Sequence, residues 1–267
     1  MTAPAAPRLS VITVCKDAVA TLPRCLASVR AQRFQAFEYL VIDGGSTDGT
    51  QALLEAFDDP RLRHWESASD GGIYPAMNRG LALAQGAYVL FLNADDYFLG
   101  PEALAHFAGA LVDPETIYYG RAAVRWRGQT LYCRPDVGAP DLGPLGVHNL
   151  PIHQSLAVPR ALAQAVAFDP AFTVAADHAH QLALLARASY VYVPVDLVGF
   201  ELGGTSSYAP SLARFRAHLR EHLALMGEEG RGARAYIRLS FWGKFLLSRL
   251  VPQNLYFALY ARLKRLA

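Results

Sequence analysis

The first 98 residues alternate four times between a short apolar run and a helical pattern, and no other feature constrains the fold as tightly. The runs "LSVITV" (Leu9–Val14), "EYLVI" (Glu38–Ile42), Arg61–Trp65 and Ala87–Leu92 read as strands. Between them, Thr21 with Pro23 opens a helix to about Gln32, Gln51–Phe57 forms a second, and "GGIYPAMNRGLALAQG" leads into a third that stops near Gly86. Strands separated by helices pair in parallel, with helices on both faces of the sheet. Ligands of such sheets bind beyond the carboxyl ends of the strands. Three of those ends are polar here: Cys15-Lys16-Asp17, Asp43-Gly44-Gly45 and Asn93-Ala94-Asp95-Asp96. The alternation therefore directs all three clusters into one crevice.

After Phe98 the pattern changes. A helix near Pro101–Leu111 precedes three short strand-like pieces, Thr116–Tyr119, Ala122–Trp126 and Gln129–Cys133, whose spacing predicts a meander. The Gly- and Pro-rich stretch 134–150 reads as a long loop, a functional flap. A helix is predicted over Ala175–Ala188 and strands over Tyr190–Val193 and Asp196–Phe200. From Ser211 the chain is helical, with Pro252 dividing the last part in two. We expect one α/β domain over 1–208, with a nucleotide-binding half (1–98) and an acceptor half (99–208), followed by a helical, basic and aromatic extension over 209–267.

Adjacent carboxylates at a strand end repel each other, and a divalent cation would relieve that repulsion. Mg²⁺ and Mn²⁺ take oxygen ligands, commonly one or two carboxylates completed by substrate phosphates. Capping of the following turn by Asp95 and Asp96 is the competing explanation. Asp43, after the second strand, is an acceptor suited to a ribose hydroxyl or a base N–H. Ser46, Thr47 and Asp48 are placed to cap the following helix.

Taken in order, "ITVCKD", "EYLVIDGGSTDGT" and "SDGGIYPAMNRGLALAQGAYVLFLNADD" resemble the family 2 glycosyltransferases of GT-A fold, in particular bacterial members of exopolysaccharide and lipopolysaccharide synthesis. The resemblance is dense over residues 8–100 and resumes at "HQS" (153–155), "FDPAFTVAAD" (168–177) and "GGTSS" (203–207). It implies a mostly parallel central sheet flanked by helices, and inverting transfer of a sugar from a nucleotide donor, UDP-linked by expectation. Thr13, Val14 and Lys16 would line the base pocket, Asp43 would bind uracil or ribose, and Asp70 and Asn78 would lie beside the nucleotide. Asp95 would hold Mn²⁺ or Mg²⁺ on the diphosphate with Asp96 in support, while Asn93 stands at the first, usually acidic, position of the metal motif. His153 and Gln154 would contact diphosphate or acceptor, and Asp177 would be the general base. At a helix start its anion is favoured, although an ordinary N-cap would look the same. Pro75 and Ala179 replace acidic residues common in relatives. A degenerate domain that binds nucleotide or partner enzymes without turnover is the alternative they leave open.

Charge is unevenly distributed. The net charge of +2 hides eight Lys/Arg and no Asp/Glu from Arg231 onward, against 17 Lys/Arg and 23 Asp/Glu before it. Basic residues among Phe, Trp, Tyr and Leu suit an anionic membrane surface, and the apolar content argues against nucleic acid. The expected partners are a nucleotide sugar, a saccharide or polyprenyl-linked acceptor, and that surface. The N-terminus lacks a signal-peptide pattern, and three cysteines without CxxC spacing indicate neither a disulfide framework nor a zinc site. The expected location is the cytoplasm, peripheral on the inner membrane. His218 to His222 match H-x-x-E-H, a zinc-peptidase pattern; with no third ligand placed, a solvated helix face is the expected explanation. No Walker A pattern is present.

Overall fold

The computed structural model describes residues 6–69, 71–138, 141–143, 149–203, 211–226 and 231–266. The first half follows the predicted alternation closely: β1 (Leu9–Cys15), α1 (Leu22–Arg30), β2 (Phe37–Asp43), α2 (Thr50–Glu55), β3 (Leu62–Ser67), α3 (Ile73–Leu83) and β4 (Tyr88–Phe91). β5 (Tyr97–Phe98), α4 (Ala103–Gly109), β6 (Ile117–Trp126), β7 (Gln129–Arg134), a 3-10 turn at His153–Ser155, β8 (Leu156–Pro159), α5 (Arg160–Val166), α6 (Ala176–Leu185) and β9 (Tyr190–Glu201) follow. Three helices end the chain: α7 (Leu212–Leu225), α8 (Arg231–Leu250) and α9 (Gln253–Leu266).

Nine strands form one sheet in the order β3-β2-β1-β4-β8-β6-β9-β5, with β7 also on β6. β3, β2, β1 and β4 are parallel; β8 runs antiparallel to both β4 and β6, and β9 is parallel to β6. Alternate side chains of the central strands enter opposite cores. Leu9, Val11, Tyr39, Val41, Leu90 and Leu92 pack with α1 and α4 on one face. Ile12, Val14, Leu40, Ile42, Val89 and Phe91 pack with α3, α5 and α6 on the other. α3 lies unusually close to β1: a Cβ on Gly80 would sit 2.5 Å from Ile12 Cγ2, so glycine is required at that contact.

The meander predicted after Phe98 is corrected. Thr116–Tyr119 and Ala122–Trp126 are one strand, β6, because its pairing with β9 continues past Gly120. Tyr190–Val193 and Asp196–Phe200 likewise merge into β9. Its Pro194 falls in the register shift between the Tyr119–Tyr192 and Arg121–Asp196 pairs, where no ladder N–H is needed.

The helical extension packs back onto the domain. Phe257 of α9 lies 4.4 Å from Trp126 between ring centroids, within a small core of Val124, Leu202 and Tyr256. α7 packs against α8 through Phe215, Trp242 and Phe245. No helix among the described residues is long and apolar enough to cross a membrane.

Candidate functional site

The in-register pairing of β1, β2 and β3 sets Cys15 beside Asp43 and Asp43 beside Ser67, so their ends form one row. Asp43 is fully buried and accepts hydrogen bonds from Ser46 N (2.9 Å), Ser67 Oγ (2.5 Å) and Ser46 Oγ. Burial pushes its carboxyl upward, but these donors outweigh burial and hold it below the ordinary carboxylate range. The loop after β2 also accepts bonds from the loop after β1: Asp17 N donates to Ser46 Oγ (2.7 Å), Ala18 N to Thr50 Oγ1 (2.8 Å) and Val19 N to Asp48 Oδ2 (2.9 Å). Of the residues expected to cap α2, Asp48 does so: its Oδ1 accepts from Thr50 N (3.0 Å), the first residue of the helix. The N-cap position itself is Gly49, without a side-chain hydrogen bond, while Ser46 Oγ accepts from Asp17 N of the neighbouring loop.

Of the residues expected around the base, Lys16 is exposed at the end of β1 and Val14 lies in the core against α3. Thr13 is fully buried, donating to Leu92 O (2.7 Å) and accepting from Tyr39 Oη (2.9 Å). Asn78 joins α3 to the loop before α6: its Nδ2 donates to Phe168 O and its Oδ1 accepts from Phe168 N, both at 2.8 Å. Asp70 lies outside the described residues.

The turn after β4 is an incompletely satisfied acidic cluster. Asp96 is 1% exposed; its Oδ1 accepts from Glu201 N (2.9 Å), while its Oδ2 and the Oδ1 of Asn93 are buried without a hydrogen-bond partner. Burial, and then the charge of Asp95, raise the Asp96 carboxyl well above the ordinary value. Burial raises that of Asp95 too. Arg24, which the sequence reading missed, offsets part of this. Its Nη2 donates to Asp95 O (2.7 Å), its Nη1 pairs with Glu201 (3.1 Å), and its guanidinium lies 4.2 Å over the Tyr97 ring. It reaches the turn from α1, about 70 residues away, so no local pattern could have flagged it. Among the described residues no three His, Cys, Asp or Glu side chains are grouped to hold an ion alone. Asp95 and Asp96 with two unpartnered oxygens fit a hard cation whose coordination is completed by phosphate oxygens.

Asp177 sits in the first turn of α6 with about 30% of its side chain exposed. It accepts from His178 N (2.9 Å), with His178 Nδ1 at 3.5 Å. Burial opposes its ionisation, but the hydrogen bond and charge of His178 prevail and hold the carboxyl well below the ordinary range. His178 is pulled the other way: burial lowers it, Asp177 more than compensates, and it titrates above an ordinary imidazole. His153 and Gln154 are buried in the 3-10 turn. The His153 ring stacks on Phe91, the last residue of β4, at 5.3 Å, and meets Phe168 and His180. Burial lowers His153 to about 4, so its ring is neutral at pH 7. Through this stack the Asp177 region adjoins the end of β4.

The H-x-x-E-H helix corrects an expectation. It is not a solvated face. Glu221 is 5% exposed and its two oxygens accept four hydrogen bonds from residues 173–175. His222 lies 5.0 Å from His178 and 4.5 Å from His218 between centroids, and both rings meet Phe241. Pattern spacing alone cannot distinguish a helix facing water from one facing a catalytic loop.

A parallel first half joined through β8 to a mixed second half, with helices on both faces of one sheet, matches the GT-A fold. The family model "Glycosyl transferase family 2" matches residues 10–148, just over half of the chain, and the chain belongs to this family. It is 44% identical over 107 residues to an uncharacterized glycosyltransferase of Mycobacterium tuberculosis, covering 40% of each chain. It is 37% identical over 127 residues to a PGL/p-HBAD biosynthesis glycosyltransferase of Mycobacterium bovis, covering 45% of this chain and 49% of that one. The matches thus span less than half the length of these curated relatives. Among solved structures, the mannosyltransferase PcManGT of Pyrobaculum calidifontis, in complex with GDP-Man and Mn²⁺, superposes with a TM-score of 0.63 at 19% identity, covering 98% of this chain and 81% of that one. TarS 1–349 of S. aureus, in complex with UDP-GlcNAc, gives 0.61 at 19% identity, covering 90% and 72%.

Proposed function

We propose that this chain transfers a sugar from a nucleotide sugar to a hydroxyl of a saccharide or lipid-linked saccharide, with inversion at the anomeric carbon. The observation that carries this reading is the pairing of an unsatisfied acidic turn after β4 with an anionic, partly exposed Asp177 across the His153–Phe91 stack. Residues 1–98 would form the donor half, 99–208 the acceptor half, and 209–267 the extension. A donor related to the UDP-GlcNAc or GDP-Man of the structural neighbours is in keeping with the fold, and we favour UDP.

In this reading Lys16, exposed at the end of β1, and the main chain around Thr13 and Val14 meet the nucleotide. The internally bonded Asp43 shapes that corner and offers its remaining lone pairs to ribose or base. Asp95, Asp96 and Asn93 would hold Mn²⁺ or Mg²⁺ on the diphosphate. When bound, that ion would supply positive charge to the departing nucleoside diphosphate. Asp177 takes the proton of the attacking acceptor hydroxyl, and His178 stabilises its anion before the transfer. Asn78 holds the approach to α6, and the neutral His153 with Gln154 lines the path between donor and base.

The extension would bring the enzyme to its acceptor. Tyr236, Leu239, Trp242, Leu246 and Leu250 form one exposed apolar face of α8, with Leu239 74% and Leu250 80% exposed and the exposed Arg238 and Arg249 beside them. With no acidic residue from Arg231 onward, this face complements an anionic bilayer surface, on the cytoplasmic side of the membrane.

The test is turnover of a panel of UDP-, GDP- and dTDP-sugars with Mn²⁺ or Mg²⁺. Asp95→Ala and Asp177→Asn should each lower it by about 100-fold or more; if both leave it intact, the roles are wrong.

A further inference from the structure

α7 belongs to the helical extension, yet its Glu221 enters the loop that delivers Asp177. Four donors from three consecutive residues converge on this one carboxylate. Oε1 accepts from Thr173 N (2.9 Å) and Thr173 Oγ1 (2.7 Å); Oε2 accepts from Val174 N and Ala175 N, both at 2.9 Å. The loop has no comparable support of its own, because the N-cap of α6 is Ala175, which has no side-chain acceptor. A Ser or Asn at that position would satisfy one N–H; Glu221 satisfies three and a hydroxyl. From the opposite side Tyr74 Oη donates to Val174 O (2.8 Å). The main chain two residues before Asp177 is thus fixed through its N–H groups by α7 and through a carbonyl by α3. Next to Glu221 on the same helix, His222 lies against His178, the partner of Asp177.

We propose that Glu221 is a positioning residue for sugar transfer: by fixing residues 173–175 it sets the direction in which Asp177 presents its carboxylate to the acceptor hydroxyl. This rests on the reading of Asp177 as the base. It makes α7 part of the catalytic unit, a role separate from membrane contact by α8. The donor-binding groups lie at the ends of β1, β2 and β4 and share no hydrogen bond with Glu221. A disturbed loop therefore affects the proton transfer and leaves donor binding unchanged.

Steady-state kinetics of the full chain with its best nucleotide sugar test this. Glu221→Gln keeps the shape but turns an amide donor toward at least one of the three N–H groups. A small misplacement of a reacting group costs between about 10- and 100-fold, so kcat should fall by that range while the donor KM and the affinity for free nucleoside diphosphate stay within about twofold. Amide hydrogen exchange over 172–180 should accelerate by about tenfold or more, with β1–β4 unchanged. Where Glu221→Gln reduces the yield of folded chain, Thr173→Ala, which removes one bond of the four, should show the same split at about threefold in kcat. An unchanged kcat, a donor KM that rises in step with the loss of kcat, or unaltered exchange over 172–180 overturns the positioning role alone. A wild-type chain inert with every nucleotide sugar overturns the transferase reading, and the positioning role with it.

Discussion

The acidic turn after β4 and the loop before α6 hold the aspartates proposed to bind the ion and to act as the base, and they are built in opposite ways. Asn93 to Asp96 are contiguous and under-satisfied, with Asp96 buried and Asn93 and Asp95 half-buried: Asn93 Oδ1 and Asp96 Oδ2 lack partners, and both carboxyls are raised. The loop at 173–177 is over-determined. It is held by Glu221 from α7 and by Tyr74 from α3, and Phe168 ahead of it by Asn78. Its carboxylate is lowered by a neighbouring His178. A site that awaits a cation must leave oxygens unpaired, whereas a base must be fixed and anionic before the substrate arrives.

The largest expected effect tests the base side. Asp177→Asn should lower kcat by about 1000-fold and leave nucleotide affinity, followed by calorimetry, almost unchanged. Asp95→Ala should instead raise the Mn²⁺ concentration for half-maximal turnover by about tenfold or more besides slowing the reaction. If the two variants are kinetically indistinguishable, the division of labour fails.

Stability separates the regions next. Glu221→Gln strands at least one buried donor and should reduce unfolding free energy by about 2 kcal/mol in urea titrations. Asp96→Asn removes a buried carboxyl with one unpartnered oxygen and should leave the metal-free protein as stable as before or more so. The pH dependences should also oppose each other. The folded-state value of Asp96 is raised, so ionisation penalises the fold, and the metal-free chain gains stability as pH falls through that raised value toward about 4, the ordinary carboxylate value. Glu221 and Asp177 are lowered, so their contributions are complete above about 4 and are lost as pH falls further, through their depressed folded-state values. Urea titrations of wild type, Asp96→Asn and Glu221→Gln from neutral to acidic pH read both slopes; equal slopes in all three would erase the contrast.

The smallest effect concerns the outer surface. Leu239→Glu with Leu250→Glu should weaken sedimentation with anionic vesicles by about tenfold, with turnover of a water-soluble acceptor within about twofold. Loss of soluble turnover as well would mean that α8, like α7, supports the site.

The first half of the sheet was legible because its information is local. Strand periodicity, turn residues and polar strand ends fall within a few positions of one another, and β1 to β4 lie within one or two residues of where the pattern puts them. Asp95 and Asp96 could be nominated on the same basis, whereas Asp177 was nominated only through the family resemblance of "FDPAFTVAAD". Beyond Phe98 the reading weakened. β6 and β9 were each read as two strands, because Gly120 and Pro194 break the local pattern while their pairing with each other does not break. β8, only four residues long, was missed, although it joins the two halves of the sheet.

By itself the sequence determined the alternation of β1 to β4, the polar residues at their ends and the acidic pair among them, since these follow from backbone periodicity and residue chemistry at short range. Only the tertiary structure decided which groups complete the site. Arg24 reaches the acidic turn from α1, and Glu221 reaches the base loop from a helix read as solvated. A side chain's partners across the fold depend on how helices pack, and spacing along one helix carries no record of that packing.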